Sequence, residues 1–381
     1  MTSGRAVRAS RSRTGELENV RGTGTPRRRR GRTGVNAVVP RRDGRSEGSG
    51  APPPPYLGRV DLESHRVELT GYCYRMLGGP FEAEDAVQET FVRAWRGTYD
   101  PARGSLRAWL YAIATNVCLD LLRTARRRAV AMDLASPAAP GTPLGEPLPA
   151  SAWVLPVPDE RVLPADQVAA DREGVRLAFV AALQHLPPRQ RAVLILRDVL
   201  CWRAAEVARL LGTTVASVNS ALQRARATIA DRRPEPLRPV DPGLLERYAT
   251  AFERHDVPAL VALLHEDATT AMPPFAWWLR GRADIAAVLS FGGSGCETAR
   301  LVPARASGVP AFGQYRPDGE GAYRPFALVV VEFSGGCQLG ATTFLGDELF
   351  GLFGLPMSLP AAARSSGWDH DRSGGLRCTT S

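Results

Sequence analysis

Residues 215–229 combine an apolar side with a small, polar and basic side. On a wheel of about 3.6 residues per turn, the apolar side holds Val215, Val218, Leu222 and Ile229. The opposite side holds Ala216, Ser217, Ser220, Gln223, Arg224 and Ala227. Small residues let a helix approach the floor of the DNA major groove, where Gln and Arg side chains hydrogen-bond base edges. This pattern favours base recognition over the alternative, an ordinary helix with a solvated face.

The residues before this helix must position it. Residues 204–211 form a short apolar-periodic segment, Gly212 breaks it, and Thr213 and Thr214 supply a cap for the next helix. Two short helices joined by a tight glycine turn predict a helix-turn-helix. Residues 171–233 hold 11 Arg against five acids, so this basic excess lies on a unit that can fold.

Two further helix faces carry candidate functional residues. In residues 83–96, an acidic and polar face lies opposite an apolar stripe, and it is either solvated or a docking surface for a basic partner. Its residues are Asp85, Gln88, Glu89, Val92 and Arg96, against Ala83, Val87, Phe91 and Ala94 in the stripe. In the helix predicted from a Ser105 cap to Arg123, one face holds Trp109, Asn116, Asp120 and Arg123, and Leu110, Ile113, Val117 and Leu121 face inward. An aromatic ring beside amide, acid and guanidinium groups suits an unstacked base, although a lone Trp is more often a core or rim residue.

Composition excludes several classes of protein. The chain has 381 residues, which predicts two or three domains. Its six Cys are widely spaced without a CxxC pair, which argues against a disulfide framework or a Cys-based zinc module and fits a reducing cytosol. No apolar run reaches the length of a membrane span, and the N-terminus lacks the apolar core of a secretory signal. We expect no cofactor, no metal and no membrane association.

The net charge of +9 comes from the N-terminal segment. Residues 1–50 hold 13 Arg against four acids, and the positive and negative charges of the remaining residues cancel. Residues 1–55 are too poor in large apolar residues to offset their chain entropy, so we expect them to be disordered. The alternatives for this segment are an unselected extension, a basic arm that contacts DNA phosphates, or a transit peptide.

The sequence predicts a multidomain chain with two all-α domains and a C-terminal α+β domain. The expected parts are a tail (1–55), a helical domain (56–130), a Pro/Ala-rich linker (131–170), a helix-turn-helix domain (171–233), a short linker (234–240), an α+β domain (241–350) and a C-terminal tail (351–381). The length of the first linker indicates that the two helical units are separate domains. The last domain begins with helices and continues with strand-like runs at 300–306, 311–316, 325–333 and 338–345.

Three segments together resemble the extracytoplasmic-function group of bacterial sigma-70 factors. They are AEDAVQETFVRAW (83–95), GSLRAWLYAIATNVCLDLLR (104–123) and LPPRQRAVLILRDVLCWRAAEVARLLGTTVASVNSALQRARATI (186–229). The resemblance implies a cytoplasmic protein whose first helical domain, sigma domain 2, binds the β′ clamp of core RNA polymerase and the −10 promoter element. The second, sigma domain 4, would bind the β-flap and the −35 element.

The resemblance also assigns roles to individual residues. Polymerase docking falls to Asp85, Gln88, Glu89 and Phe91, although the wheel makes Phe91 mainly a core residue. Capture of a −10 base falls to Trp109, Asn116, Asp120 and, on the same face, Arg123, with the loop 100–106 shaping the pocket. Recognition of the −35 element falls to Ser217, Asn219, Ser220, Gln223 and Arg224, with Asn219 lying off the groove face of the wheel.

Residues 244–345 resemble the SnoaL-like, cone-shaped NTF2 superfamily, which points to the SigG-type group of these factors. The resemblance implies that compact factors of the class usually rely on a separate anti-sigma protein. The fused domain is therefore a candidate regulator, with or without a small-molecule ligand. Candidate acid/base residues are His265, Asp267, Asp284 and Tyr315, and candidate pocket or core residues are Met272, Phe275, Trp277 and Trp278. No spaced acid/base pair stands out, so we expect no catalytic residues and no enzyme activity.

Two other functions remain open at this point. One is a helix-turn-helix regulator that works without polymerase, and the other is an NTF2-like enzyme with a DNA-binding appendage. Both leave the motif in residues 83–123 without a role, so the sequence favours a sigma factor.

Overall fold

The computed structural model describes residues 61–164, 172–232, 234, 236–238, 240–291 and 298–360, and the backbone of 368–370 and 376–378. The expectations for the tail 1–55 lie outside these residues. Within them, no helix has the length and apolar character needed to cross a bilayer.

The first helical domain contains α1 (Arg66–Leu77), α2 (Pro80–Arg96) and α3 (Leu106–Leu122). Gly78 ends α1 in the left-handed conformation that glycine tolerates best. The Ser105 hydroxyl caps α3 by accepting a hydrogen bond from the Ala108 N–H at 3.2 Å, as predicted. Leu110 and Val117 are buried, but Leu121 is 42% exposed because it lies in the last turn of α3, beside exposed Asp120.

The predicted linker 131–170 is a packed segment over its described part, so its treatment as a mere spacer is corrected. It contains two short helices, α4 (Ala131–Leu134) and α5 (Asp159–Val162). Between them Trp153, Val154 and Val157 are each only 1% exposed. The Tyr74 hydroxyl of α1 donates to the Leu155 carbonyl at 2.9 Å. These residues are buried in extended, proline-rich chain, which has neither helical nor strand periodicity to reveal burial.

The second helical domain contains α6 (Leu177–Gln184), α7 (Pro188–Leu194), α8 (Ala204–Leu210) and α9 (Val215–Ile229), with a π-helical turn at Ile195–Val199. The predicted helix-turn-helix is present as α8 and α9. Gly212 adopts φ 60° between them, and the Thr214 hydroxyl accepts a hydrogen bond from the Ser217 N–H at 3.1 Å. The helical wheel places Val215 on the apolar, inward side, but this prediction is wrong. Val215 is 43% exposed because it lies in the first turn, ahead of the packed part of α9.

The two helical domains share one hydrophobic core instead of standing apart. The Tyr111 ring of α3 lies 5.0 Å from the Trp202 ring. Arg191 of α7 is 3% exposed and reaches into the junction between the domains. Its guanidinium donates to the Met76 carbonyl at the end of α1, to the Gln184 side-chain oxygen at 2.6 Å, and to the Gln184 and Leu186 carbonyls. Burial lowers the pKa of Arg191 to about 10, so it remains charged at neutral pH.

We expect Arg191→Leu to destabilise the chain by about 3 kcal/mol, because buried carbonyls lose a charged donor. The measurement is the urea midpoint of unfolding by circular dichroism. Arg189→Leu is the matched control, since Arg189 is an exposed arginine on the same helix. Equal midpoints for the two variants would contradict a structural role for the buried guanidinium.

The C-terminal domain wraps a curved sheet around helices. Its helices are α10 (Pro242–Glu253), α11 (Val257–Leu263) and α12 (Arg282–Leu289). Its main strands are β1 (Leu264–Ala271), β2 (Trp278–Arg280), β3 (Arg300–Ala306), β4 (Val309–Pro317), β5 (Ala322–Ser334) and β6 (Cys337–Leu345). The strand order is β2-β1-β6-β5-β4-β3, with β1 parallel to β6 and the other pairs antiparallel. This is the cone-shaped α+β domain expected from the resemblance.

Strand β5 packs on both faces, which places the cone against the helical domains. Val329, Val331 and Phe333 face α10 and α11, whereas Leu328 and Val330 join the core of the helical domains. The expected tail 351–381 is also corrected in part. Leu352 and Leu355 are each 8% exposed, and β7 (Leu359–Pro360) pairs with β5, so the domain extends to residue 360. Short strands β8 (Trp368–His370) and β9 (Leu376–Cys378) pair with each other.

Candidate functional site

The exposed face of α2 carries the residues assigned to polymerase docking. Asp85, Gln88 and Glu89 are all exposed. Large apolar side chains lie on the same helix, with Phe81 43% exposed, Val92 37% and Trp95 82%. Phe81 and Trp95 are not among the predicted docking residues, although positions 81, 85, 88, 92 and 95 share the helical spacing of one stripe. An exposed tryptophan flanked by charges is typical of a protein-binding surface.

Phe91 does not belong to this surface. It is 9% exposed, and the Arg66 guanidinium lies 5.0 Å from the centre of its ring. Its assignment as a docking residue is therefore corrected to a core residue, in agreement with its place in the apolar stripe of α2.

Trp109 forms one wall of a cavity of about 290 Å³ on the surface of the first helical domain. The cavity is lined by Arg93, Gly97, Thr98, Trp109, Ile113 and Asn116. The Trp109 ring lies 5.6 Å from the Tyr99 ring at an angle of 40°. A Cβ added at Gly97 would lie only 3.1 Å from the indole, so glycine there lets the backbone pack against Trp109. An aromatic wall beside an exposed amide suits a base removed from its stack.

Residues 100–106 of the loop before α3 do not line this cavity, but the loop positions Tyr99, whose ring contacts Trp109. The Asp100 carboxylate accepts a hydrogen bond from the Ala102 N–H at 3.0 Å, and the Tyr99 hydroxyl donates to the Gly104 carbonyl at 3.0 Å. Gly104 adopts φ 148°, a region that side chains disfavour. The loop therefore fixes Tyr99 beside Trp109.

Arg93 connects the two candidate surfaces of this domain. It forms an ion pair with Glu89 at 2.7 Å and lies 3.6 Å from the Asp120 carboxylate. The hydrogen bond from Arg93 to Glu89, and more weakly Asp120, raises the pKa of Arg93. Asp120 also pairs with Arg123 at 3.2 Å. Arg93 is not among the residues predicted for either surface, although its position one turn after Glu89 is a signal for an ion pair.

The exposed face of α9 carries the residues assigned to base recognition. These are Ser217, Asn219, Ser220, Gln223 and Arg224, and all of them are exposed. Asn219 is exposed as well, and its place off the groove face of the wheel stays a prediction. Arg226, on the same helix, is held by Asp198 through two hydrogen bonds of 2.8 and 2.7 Å. Arg226 is thus tied to its own domain.

A cleft of about 800 Å³ separates the Trp109 region from the helix-turn-helix. One wall contains Tyr99 and Trp109, and the other contains Trp202, Glu206 and Arg209. Trp109 and the first helix of the helix-turn-helix, α8, thus line the same cleft, and α3 and α8 are in contact. The α9 residues assigned to base recognition do not line it.

The cone contacts the helical domains and the linker through its β3–β4 turn. Ser307 is fully buried, and its N–H donates to the Val157 carbonyl at 2.8 Å. Its hydroxyl lies 3.2 Å from the Tyr74 hydroxyl of α1. A Cβ at Gly308 would lie 2.5 Å from the Arg172 carbonyl, so the turn fits closely.

Two charged contacts reinforce this junction. The Asp159 carboxylate of α5 accepts hydrogen bonds from the Arg305 guanidinium at 2.9 Å and from the Gly308 N–H at 2.7 Å. The Arg176 guanidinium, which is 4% exposed, pairs with Glu332 of β5 at 3.0 Å. The cone therefore binds the linker and the second helical domain at the same time.

The cone encloses a cavity of about 360 Å³, to which Met272 and Trp277 contribute. The candidate acid/base residues His265, Asp267, Asp284 and Tyr315 do not line it. His265 and Asp267 are exposed on β1, and the Tyr315 hydroxyl donates to the Pro356 carbonyl at 2.8 Å. Trp278 points elsewhere, with its indole N–H donating to the Ala135 carbonyl at 2.8 Å.

Both helical domains match known protein families. Residues 62–128 match the family Sigma-70 region 2, and residues 176–229 match the family Sigma-70, region 4. The crystal structure of the extracytoplasmic function sigma factor SigJ of Mycobacterium tuberculosis superposes with a TM-score of 0.50 at 26% identity. That match covers 78% of this chain and 99% of SigJ.

Two curated relatives extend the comparison to the sequence. The ECF RNA polymerase sigma factor SigG of M. tuberculosis strain H37Rv is 44% identical over 314 residues, which cover 78% of this chain and 83% of SigG. SigJ of the same strain is 31% identical over 215 residues, 55% of this chain and 62% of SigJ. The chain therefore belongs to the extracytoplasmic-function family of sigma factors, the transcription factors that bind core RNA polymerase and direct it to promoter DNA.

Proposed function

We propose that this non-enzymatic, cytoplasmic factor divides its task among three surfaces. The exposed α2 face around Asp85, Gln88 and Glu89 binds core polymerase. The Trp109 cavity, with Asn116, Asp120 and Arg123, takes up a base of the −10 element. The exposed face of α9 recognises the −35 element. The observation that carries the proposal is that one chain presents an aromatic-walled cavity next to an exposed docking helix and a separate, basic recognition helix.

Strand capture explains how the first domain would help to open DNA. A base that leaves the duplex loses its pairing and stacking, which costs a few kcal/mol. Stacking on an aromatic side chain returns about 1–3 kcal/mol per base. Arg93 and Arg123 place positive charge near the strand, so binding should weaken as salt rises.

The closed arrangement is incompatible with binding both promoter elements at once. Elements about 25 base pairs apart lie about 85 Å apart along B-form DNA, at 3.4 Å per base pair. In the arrangement seen here, which we call closed, α3 contacts α8, and Trp109 lines one cleft together with residues of α8. We infer that the two helical domains must separate when the factor joins polymerase at a promoter.

We also propose that the cone opposes this separation and so inhibits the factor. Its β3–β4 turn contacts α1 and the linker, and Glu332 pairs with Arg176 of the second helical domain. All of these contacts stabilise the closed arrangement. The sequence leaves the sign of this control open, and the contacts support inhibition.

The test of the proposed function is run-off transcription with purified core polymerase and the full chain on genomic promoter fragments. Promoter-specific transcripts are expected only when the chain is present. The proposal would be overturned if the chain neither bound core polymerase nor produced a transcript, whether the cone was held against the helical domains or released from them.

We expect Arg224→Ala to lower transcription from a −35-dependent promoter about tenfold, because a good base contact is worth about 1–3 kcal/mol. The measurement compares run-off yield with that of Arg226→Ala. Arg226 is paired with Asp198, so its removal is expected to change the yield less than twofold. Similar losses in both variants would contradict the placement of Arg224 at the base edges.

A further inference from the structure

The cavity inside the cone has the character of a binding site for a small molecule. Its volume of about 360 Å³ falls in the range of ligand pockets. Aromatic and aliphatic side chains from helices and sheet dominate its wall, among them Tyr248, Phe252, Trp277, Leu279 and Val288. An occupant that fits this wall must be largely apolar, because burial of apolar surface supplies its affinity.

Polar side chains at defined places restrict the chemistry of that occupant. The carboxamides of Gln314 on β4 and Gln338 on β6 line the cavity and are 2% and 6% exposed. Arg316 also contributes to the wall, and its guanidinium lies 3.3 Å from the centre of the Phe326 ring. Among the described residues that line the cavity, Arg316 and His255 are basic and none is acidic. These groups favour a neutral or anionic molecule with a hydrogen-bonding oxygen and disfavour a cation.

The linker between the two helical domains forms part of the same wall. Leu144, which is 38% exposed, lines the cavity although it belongs to the linker. The indole N–H of Trp277 donates to the Thr142 carbonyl at 3.2 Å while its ring faces the cavity. The Leu148 N–H donates to the Pro274 carbonyl at 2.8 Å. A molecule in the cavity therefore touches both the cone and the linker.

We propose that the cone binds a neutral or anionic, mainly aromatic or alicyclic small molecule, and that binding holds the linker on the cone. This inference rests on the proposed inhibitory role of the cone and names the chemistry that controls it. A ligand that contacts Leu144 and Trp277 in the closed arrangement loses part of those contacts when the linker leaves. It thus binds the closed form more tightly and shifts the population toward it.

The binding test uses the full chain, isothermal titration calorimetry and three bicyclic probes that differ in charge. The probes are naphthol (neutral), naphthoate (anionic) and naphthylmethylamine (cationic). We expect one site per chain for naphthol or naphthoate, with naphthylmethylamine binding at least tenfold more weakly. No binding of either favoured probe, or a preference for the amine, would overturn the proposal.

Variants locate the site. Val288→Phe fills the cavity and is expected to abolish binding of the favoured probe. Leu144→Ala removes apolar contact from an exposed linker position and is expected to weaken binding about fivefold. Leu134→Ala is the matched control, because Leu134 is a linker leucine of similar exposure, 39%, that does not line the cavity. If Val288→Phe does not fold, the comparison of Leu144→Ala with Leu134→Ala tests the site instead. Equal probe affinities of these two variants would overturn the proposed contact between ligand and linker.

Transcription separates this inference from the proposed function. The bound probe is expected to lower run-off transcription by the wild-type chain at least threefold. Run-off transcription by Val288→Phe is expected not to change when the probe is added. Titration needs no polymerase, so a chain that binds the probe but never transcribes refutes the sigma-factor surfaces and leaves the site standing. A chain that transcribes but ignores every probe refutes the site alone.

Discussion

Trp109→Ala is expected to lower promoter-specific run-off transcription about 30-fold, corresponding to the loss of about 2 kcal/mol of stacking on a captured base. The indole forms the aromatic wall of the 290 Å³ cavity and packs against Gly97 and Tyr99. Permanganate footprinting of the −10 region gives the direct measurement. Reactive, unpaired thymines should become scarce in the variant at the same concentration of holoenzyme.

Trp95→Ala provides the contrasting control for that result. Trp95 is 82% exposed on the side of α2 that we propose binds polymerase, so its loss should weaken association with core polymerase in gel filtration. Trp109→Ala should leave that association intact. If Trp109→Ala instead loses polymerase, or if it opens the promoter normally, the assignment of the cavity to strand capture is wrong.

The double variant Asp159→Asn and Glu332→Gln is expected to raise run-off transcription about tenfold. Asp159 accepts hydrogen bonds from Arg305 and Gly308, and Glu332 pairs with Arg176 across the cone junction. Both substitutions keep the shape of the side chain but remove its charge. Weakening the closed form by about 1.4 kcal/mol multiplies the open population by about ten while the open form remains the minor one.

Small-angle X-ray scattering supplies a structural measurement for the same variant, whose radius of gyration should increase. Asp267→Asn is the matched control, because Asp267 pairs with Arg280 at 3.3 Å on the exposed surface of the cone. This control should change neither transcription nor scattering. Lower transcription by the double variant, together with an increased radius, would show that the cone assists transcription instead of inhibiting it.

Most of the helical structure can be predicted from the sequence because its signals are local. Gly78 and Ser105 mark helix ends, and the apolar period of α2 separates its buried and exposed faces. The helix-turn-helix follows from Gly212 and Thr214 in the same way. The exposed surface of α9 was predictable apart from Val215, since the packing of the first turn against the domain core decides exposure near a helix start.

The candidate sites also differ in whether they depend on one helix or on contacts between helices. The faces containing Asp85, Trp109 and Arg224 follow from helical spacing, because the residues of each face lie on a single helix. The placement of Arg93 between Glu89 and Asp120 required two helices to meet, and that contact is long-range. The strand β1 was also missed, because its polar residues give no alternating apolar pattern.

By itself, the sequence determined the helices outside the linker, the helix-turn-helix, the later strands of the cone and the polar faces proposed to contact polymerase and DNA. These depend on caps, turns and periodicity within a few residues. Only the tertiary structure decided that Trp153 and Val157 of the linker are buried, that Leu144 lines the cone cavity, and that Trp109 and α8 line one cleft. Such contacts join residues distant in the chain, and extended, proline-rich segments carry no periodic signal of what they will be packed against.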